Sequence, residues 1–282
     1  MSALETAQHR PPIRQHLRIG CVSFLNAKPL IDGLENSAGL DLTLDVPSRL
    51  LAGLQRHRFD VALLPVIDYQ RMEGLRLLCA GGIGCDGPTL TVRIFSPIPV
   101  SEICTLACDS DSHTSVALAK IILAERYGIQ PRIIDFDFHA DANGGEHTSS
   151  ETAQLLIGDK VVCQEPKNLP HQIDLGQAWK ELTGLPFLFA AWMARGGIEL
   201  GDLPTELAEA KRRGLRHVEQ IIARDAIPTG WPAEVARKYL TEYLQFDIGP
   251  KHLQAVRLFH RLAHQHGVID HPPRELDVIG EN

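Results

Sequence analysis

Three short segments of the 282-residue chain carry residue types with usable chemistry. The first, Asp109–Ser115, reads DSDSHTS and runs into VALAKIILAERY, whose apolar 3–4 spacing predicts a helix over Val116–Tyr127. Thr114 and Ser115 fall at the start of that helix. Free backbone N–H groups and the helix dipole there favour an anion such as a carboxylate, although Ser and Thr at this position also serve as ordinary N-caps. The second segment, Gly81–Thr91, reads GGIGCDGPTLT; its glycines allow close ligand approach, or form a plain crossover loop. The third is Asn26, which follows an apolar run and reads as an orienting amide or as a turn residue.

Other patterns are weaker. The sequence has no GxxxxGK[ST] cradle and no GxSxG nucleophile elbow, and a nucleotide-phosphate site of the usual kinds is unsupported. His260 and His264 have the one-turn spacing of a helical metal pair, but no acidic partner motif accompanies them, so a solvated helix face is expected. Cys104 and Cys108 form a CxxxC without a second pair at zinc spacing, and no metal site is expected. The six cysteines, Cys21, Cys79, Cys85, Cys104, Cys108 and Cys163, mostly sit in apolar runs and read as buried free thiols.

The elements that must position these residues follow from periodicity. Strands are expected at Arg18–Phe24, Leu40–Val46, Phe59–Pro65, Leu75–Cys79 and Thr89–Phe95, with helical segments after Pro29, over Pro47–Arg58 and over Val66–Glu73. This β-α-β-α-β order is the signature of an α/β unit. A second unit is expected from Ser96 onward. It has strands at Ile103–Cys108, Arg132–Phe138 and Ala153–Ile157, the helix Val116–Tyr127 capped by Gly128, and a mobile loop over Ala140–Glu151 flanked by His139 and holding His147. Leu185–Trp192 would carry the chain back to the first unit. Helices then follow over Thr205–Ala223, Ala233–Leu244 and Lys251–His266, the last burying Leu253, Val256, Leu258, Phe259 and Leu262. All three chemistry-bearing segments lie at the ends of expected strands and are divided between the two units. That geometry describes an interlobe cleft lined by neutral donors, suited to a small carboxylate.

Composition narrows the classes. A hydrophobic fraction of 44% with 22% charged residues is that of a globular protein. The net charge of −7 argues against nucleic acid as a partner, and no run reaches the roughly 18 apolar residues of a membrane span. Residues 1–16 are polar, with no apolar core of a secretory signal, and read as a flexible tail. Together with the free thiols, this places the chain in the cytoplasm.

Five blocks, in order, carry a family resemblance: IGCVSFLNAKPLIDGLE (Ile19–Glu35), GIGCDGP (Gly82–Pro88), SHTSVALAKIILAERYG (Ser112–Gly128), LLIGD (Leu155–Asp159) and DLGQAWKELTGLPFLFAAW (Asp174–Trp192). The chain resembles the chorismate dehydratases of the futalosine route to menaquinone. The resemblance implies a two-lobed α/β fold of the type II periplasmic-binding-protein kind, with mixed sheets and an interlobe cleft. Lobe 1 would be discontinuous, over residues 17–96 and 190–282 with the C-terminal helices, and lobe 2 would be inserted over residues 97–189. It also implies dehydration of chorismate to 3-[(1-carboxyvinyl)oxy]benzoate, with no cofactor, the substrate's own enolpyruvyl carboxylate taking the ring proton. A homodimer is compatible with it.

By the same resemblance, Asn26 orients the substrate and Thr91 hydrogen-bonds the reacting region. Cys85, Gly87, His113, Thr114, Ser115, Gly158 and Asp159 lie against the substrate, Cys85 as a lining or structural thiol. Asp86 and Asp159 are general-base candidates by type alone, each beside a glycine whose turn it could instead fix. Two departures stand out: the family often reads SRTS where this chain has Ser112-His113-Thr114-Ser115, and often has Ser where Thr91 stands. Three rivals share the fold. A solute-binding protein would carry an export signal. The sister 1,4-dihydroxy-6-naphthoate synthase would show a SPCPNDT-like block where this chain has SFLNAKPL. A transcriptional effector domain would need a DNA-binding helix-turn-helix.

Overall fold

The computed structural model describes residues 16–109, 112–136, 151–163, 166 and 169–280. Nearly all of the expected tail, His139, His147 and nearly all of the expected loop over residues 140–151 lie outside the described residues.

Two mixed sheets organise the chain. The first contains β1 (Leu17–Val22), β2 (Leu40–Asp45), β3 (Val61–Pro65), β4 (Leu75–Cys85), β10 (Phe187–Arg195), β11 (Leu244–Gln245) and β12 (Val278–Ile279). Its order is β11-β4-β10-β3-β1-β2, with β12 also on β4. The second, of order β7-β6-β8-β5-β9, contains β5 (Val92–Ser96), β6 (Thr105–Asp109), β7 (Arg132–Phe136), β8 (Ala153–Ile157) and β9 (His171–Asp174). Strand β3, VALLP, is buried at every position because it lies between β1 and β10 with both faces covered. Edge strand β2 keeps Asp41, Thr43 and Leu44 exposed.

Helices fill the connections. They are α1 (Lys28–Ile31), α2 (Pro47–Gln55), α3 (His113–Tyr127), α4 (Asp159–Cys163), α5 (Leu175–Thr183), α6 (Leu203–Arg216), α7 (Val218–Ile221), α8 (Ala233–Lys238) and α9 (Pro250–Gln265). Helix α3 ends as expected, on Gly128 in the left-handed conformation. Trp179 of α5, Phe187 of β10 and Phe259 of α9 pack edge to face, with ring centroids 5.1–6.1 Å apart. Among the described residues no helix is long and apolar enough to cross a membrane.

Three expectations need correction. The glycine-dense stretch is not a loop up to Cys85: Gly81–Cys85 continues β4, antiparallel to β10. Its glycines answer close backbone approach, since a Cβ on Gly82 would lie 2.6 Å from the Ala190 carbonyl oxygen and one on Gly84 2.7 Å from that of Phe187. Residues 82–87 spell GxGxxG, but a strand and a crossover hold them rather than a strand-to-helix turn, so they form no dinucleotide cradle. Secondly, Val92–Ser96 pairs antiparallel with β8 and β9. The chain therefore changes sheets between Cys85 and Val92, ahead of the expected boundary at residue 97. Thirdly, His260 is not on a solvated face. It is 1% exposed, its Nε2 is 2.9 Å from the Val66 carbonyl oxygen and its Nδ1 is 2.9 Å from Gln70 Nε2, while His264 is exposed. Leu258 and Leu262 are only half-buried beside the buried Leu253, Val256 and Phe259.

Candidate functional site

A cavity partly open to solvent, about 640 Å³ with its open mouth included, lies between the two sheets. Its walls are apolar: Val22, Leu63, Ile83 and Phe189 come from the first sheet, and Val92 and Ile157 from the second. The polar lining consists of Asn26, Thr89, Thr91, Ser112, Thr114, Ser115 and Tyr239, all neutral. Among the described residues no charged side chain lines it.

Asn26 sits in the single 3-10 turn Leu25–Ala27 that joins β1 to α1, with Pro29 just inside the helix. Its Oδ1 is buried and has no hydrogen-bond partner. An unsatisfied buried acceptor is costly, so this oxygen is suited to a ligand donor.

Thr91 stands on the crossover from β4 to β5. Asp174 holds that crossover: its carboxylate accepts from the N–H of Thr89 at 3.0 Å and of Leu90 at 2.8 Å. The same carboxylate caps α5 through the N–H groups of Gly176 and Gln177. Leu90 is thereby kept at φ +66°, in the left-handed region that a leucine rarely adopts. The Gly158 N–H donates to the Thr91 carbonyl at 2.8 Å, tying the crossover to the end of β8. The Thr91 side chain is 2.7 Å from the Tyr239 hydroxyl.

The N-terminus of α3 completes the lining with Ser112, Thr114 and Ser115, all buried. Thr114 Oγ1 accepts from the Ile67 N–H at 3.3 Å, which leaves its own hydrogen to donate elsewhere. Free N–H groups in the first turn of a 15-residue helix make this end the electropositive wall of an otherwise neutral cavity.

Asn26, Thr91, Thr114, Ser115 and Gly158 thus come together around one cavity. Cys85, Gly87, His113 and Asp159 do not line it. Cys85 is buried against α5, where a Cβ on Gly176 would lie 2.6 Å from its Sγ, and burial pushes its thiol up to about 12. Gly87, at φ +137°, shapes the crossover beneath Gln177. His113 turns away to the fully buried Asp68, with Nδ1 at 2.9 Å from Oδ1, and Arg71 approaches the same carboxylate at 3.2 Å. The His113 ring is therefore a hydrogen-bond partner of Asp68 in the first lobe. Asp159 opens α4, where burial pushes its carboxyl up against the opposing pull of the Leu25 N–H and Lys28. Asp86 is exposed and pairs with Lys180 at 2.5 Å, outside the cavity. Among the described residues no group of three or more His, Cys, Asp or Glu side chains is placed to hold a metal ion.

Sequence reading missed Tyr239, Thr89 and Ser112. Tyr239 lies in a π-helical turn, Tyr239–Tyr243, some 150 residues from Thr91 (|i−j| = 148), and nothing in its neighbourhood marks it. Thr89 and Ser112 each sit within a segment that had been singled out, and their neighbours were chosen instead.

Comparison with known proteins follows the same outline. A family model described as menaquinone biosynthesis matches residues 17–265. A protein of Thermus thermophilus named chorismate dehydratase is 26% identical over 243 residues, covering 80% of this chain and 87% of that protein. One of Campylobacter jejuni with the same name is 28% identical over 170 residues, covering 59% and 58%. Among solved structures, a Candida albicans gene product described as having the generic periplasmic binding protein fold aligns with a TM-score of 0.65 at 12% identity, over 91% of this chain and 92% of that one. The periplasmic aliphatic sulphonate binding protein of Escherichia coli aligns with a TM-score of 0.62 at 16% identity, over 93% and 89%. The fold is that of the periplasmic binding proteins.

Proposed function

The chain belongs to the menaquinone-biosynthesis family, and on that premise we propose that it is a hydro-lyase converting chorismate to 3-[(1-carboxyvinyl)oxy]benzoate and water. The observation that carries this reading is the cavity itself: neutral donors, one helix N-terminus, and one buried acceptor, Asn26 Oδ1, left without a partner. Chorismate is a dianion at neutral pH, and its ring hydroxyl is its hydrogen-bond donor. A carboxylate fits the N-terminus of α3, held by its N–H groups and by the Thr114 and Ser115 hydroxyls. The ring hydroxyl then donates to Asn26 Oδ1, and Thr91 reaches the reacting region.

Among the described residues the lining holds no carboxylate or imidazole to act as general base. The enolpyruvyl carboxylate of the substrate takes the ring proton beside the ether oxygen, and the adjacent hydroxide leaves as the ring becomes aromatic. One C–H and one C–O bond break, one molecule of water is formed, and no redox change occurs. The protein's part is to hold a flexible dianion in the conformer where carboxylate and proton meet. The apolar walls strengthen each hydrogen bond by excluding water. We assign the reaction to the futalosine route and to the cytoplasm, a placement supported by the six free cysteines.

Purified protein mixed with chorismate, without added metal or nucleotide, is expected to yield the enolpyruvyl benzoate by chromatography. Asn26→Ala is expected to lower kcat by about a hundredfold, the scale of losing one oriented polar contact in the transition state. Tight binding of chorismate with no aromatic product would overturn the enzyme reading and favour a binding protein.

A further inference from the structure

The π-helical turn Tyr239–Tyr243 between α8 and β11 delivers one polar group to the cavity, and that group touches Thr91 and shares the lining with Asn26. The Tyr239 hydroxyl is 2.7 Å from Thr91 Oγ1 and lies near enough to the Asn26 side chain to interact with it. Because Asn26 Oδ1 has no partner, the group that the amide can turn to the phenol is Nδ2, a donor. A phenol oxygen that accepts from Asn26 has its own hydrogen free, and the nearby acceptor for it is Thr91 Oγ1. Thr91 Oγ1, having accepted, directs its hydrogen away from Tyr239 and into the cavity.

We propose that Tyr239 is a positioning residue that orders the donors of this site: Asn26 Nδ2 donates to Tyr239, Tyr239 to Thr91, and Thr91 to the ligand, leaving Asn26 Oδ1 to accept from the ligand's hydroxyl. One phenol thereby sets the amide orientation at Asn26 and the rotor at Thr91. The two protein groups present opposite polarity, one acceptor and one donor, to a single ligand hydroxyl. A hydroxyl held in this way is recognised as a donor in the ground state, and its oxygen is supplied with a hydrogen bond as the C–O bond breaks.

The surroundings fit this role. Tyr239 is 1% exposed, and its ring stacks on Trp231 at 5.1 Å between centroids and 24° between planes. Strand β11, directly after the turn, pairs with β4 at Cys85 and Gly84, so the turn is anchored to the first sheet. Burial raises the phenol's deprotonation far above its ordinary range, which keeps it a donor across the working pH range. Turns of π-helix recur at functional sites because they displace one side chain from the helical register.

The inference rests on the dehydratase reading, and the experiment separates the two. Tyr239→Phe keeps the ring on Trp231 and removes only the hydroxyl. Its kcat is expected to fall by about tenfold or more while KM changes by less than about threefold, since a misdirected rotor weakens the transition state more than the bound ground state. In a Thr91→Val background, Tyr239→Phe is expected to cost clearly less than in the wild type, because the Thr91 rotor is already gone and only the orientation of Asn26 is left to lose. Thermal melting of each variant is followed alongside. An active wild type whose kcat is untouched by Tyr239→Phe, or equal and additive losses in the two backgrounds, would overturn the inference alone. A wild type that makes no product overturns the functional reading and this inference with it.

Discussion

Asp174 is the residue through which stability and site geometry can be separated. Its carboxylate serves four backbone N–H groups, those of Thr89, Leu90, Gly176 and Gln177, at 2.8–3.1 Å. Asp174→Ala removes the cap of α5, worth about 1 kcal/mol. It also strips the crossover of two charge-assisted bonds, each worth about 1.5–3 kcal/mol in its environment. Leu90, at φ +66°, would relax toward an ordinary conformation, recovering roughly 1–2 kcal/mol of strain and moving Thr91 as it does so. The net loss is about 4 kcal/mol, which in a chain of this size lowers the melting temperature by roughly 7 °C. Dehydration measured well below that melting temperature should fall with it, because Thr91 no longer faces Tyr239. Asp174→Asn is the discriminating variant. A single amide oxygen can keep the cap of α5, but the amide nitrogen then opposes the N–H of Leu90, so kcat should drop with only part of the stability loss. The measurements are calorimetric melting and initial rates by chromatography. If Asp174→Ala melts early but turns over chorismate at the wild-type rate once folded, the crossover holds its shape without the carboxylate and the reasoning is wrong.

Four further outcomes are expected. Burial holds His260 down to about 4, against about 6.5 in the unfolded chain, so between those values the unfolded state binds the extra proton. Stability should therefore fall as pH drops through that window, by up to about 1.4 kcal/mol per pH unit from this group, and His260→Gln should flatten the slope in urea titrations. Asp60, held down to about 2 against the penalty of burial by Arg18 and Arg195, acts in a separate and lower window: its contribution is present above its unfolded value and is lost as pH falls toward 2. Gly214→Ala would place a methyl 2.2 Å from the Pro29 carbonyl oxygen, pushing α6 off α1 for about 1–3 kcal/mol; since α1 directly follows the Asn26 turn, activity should fall too. His113→Ala would leave the buried Asp68 with Arg71 alone, costing roughly 1–3 kcal/mol in chemical denaturation, while kcat changes little because His113 is outside the cavity.

The residues that could be placed from sequence are those marked by local physics. Asn26 follows a buried strand and precedes a proline, Thr114 and Ser115 precede a run with helical period, and Gly158 ends an apolar strand. Each marker is legible within about ten residues, and each of these residues lies at the cavity. The residues misplaced or missed depend on partners far away in the chain. His113 looked like part of the anion-holding turn, and its nitrogen is taken by Asp68, 45 positions away. His260 looked solvated until Gln70 and Val66, about 190 positions earlier, covered it. Tyr239 gave no local signal at all.

The same division holds for the fold. Alternation and apolar runs in the sequence predict a strand over Thr89–Phe95 and a helix over Val116–Tyr127, which the structure places at Val92–Ser96 and His113–Tyr127, because a period of two or 3.6 is a property of neighbouring residues. Which sheet receives a strand is a different question, since every exposed strand edge offers the same N–H and C=O groups. Val92–Ser96 goes to the second sheet because β8 and β9 present matching antiparallel edges there. The glycines of β4 show the converse. The sequence advertises conformational freedom, and the tertiary structure spends it on close strand packing at Gly82 and Gly84. What the sequence alone determined was many of the elements, though not the strand His171–Asp174 or the helix Leu175–Thr183, together with the family and four of the cavity's seven neutral polar residues. What only the tertiary structure decided was which of those donors are already engaged, by Asp68, Asp174 or Tyr239, and which are left for a ligand. Hydrogen-bond capacity belongs to a residue, but its satisfaction depends on whatever the fold brings within 3 Å or so.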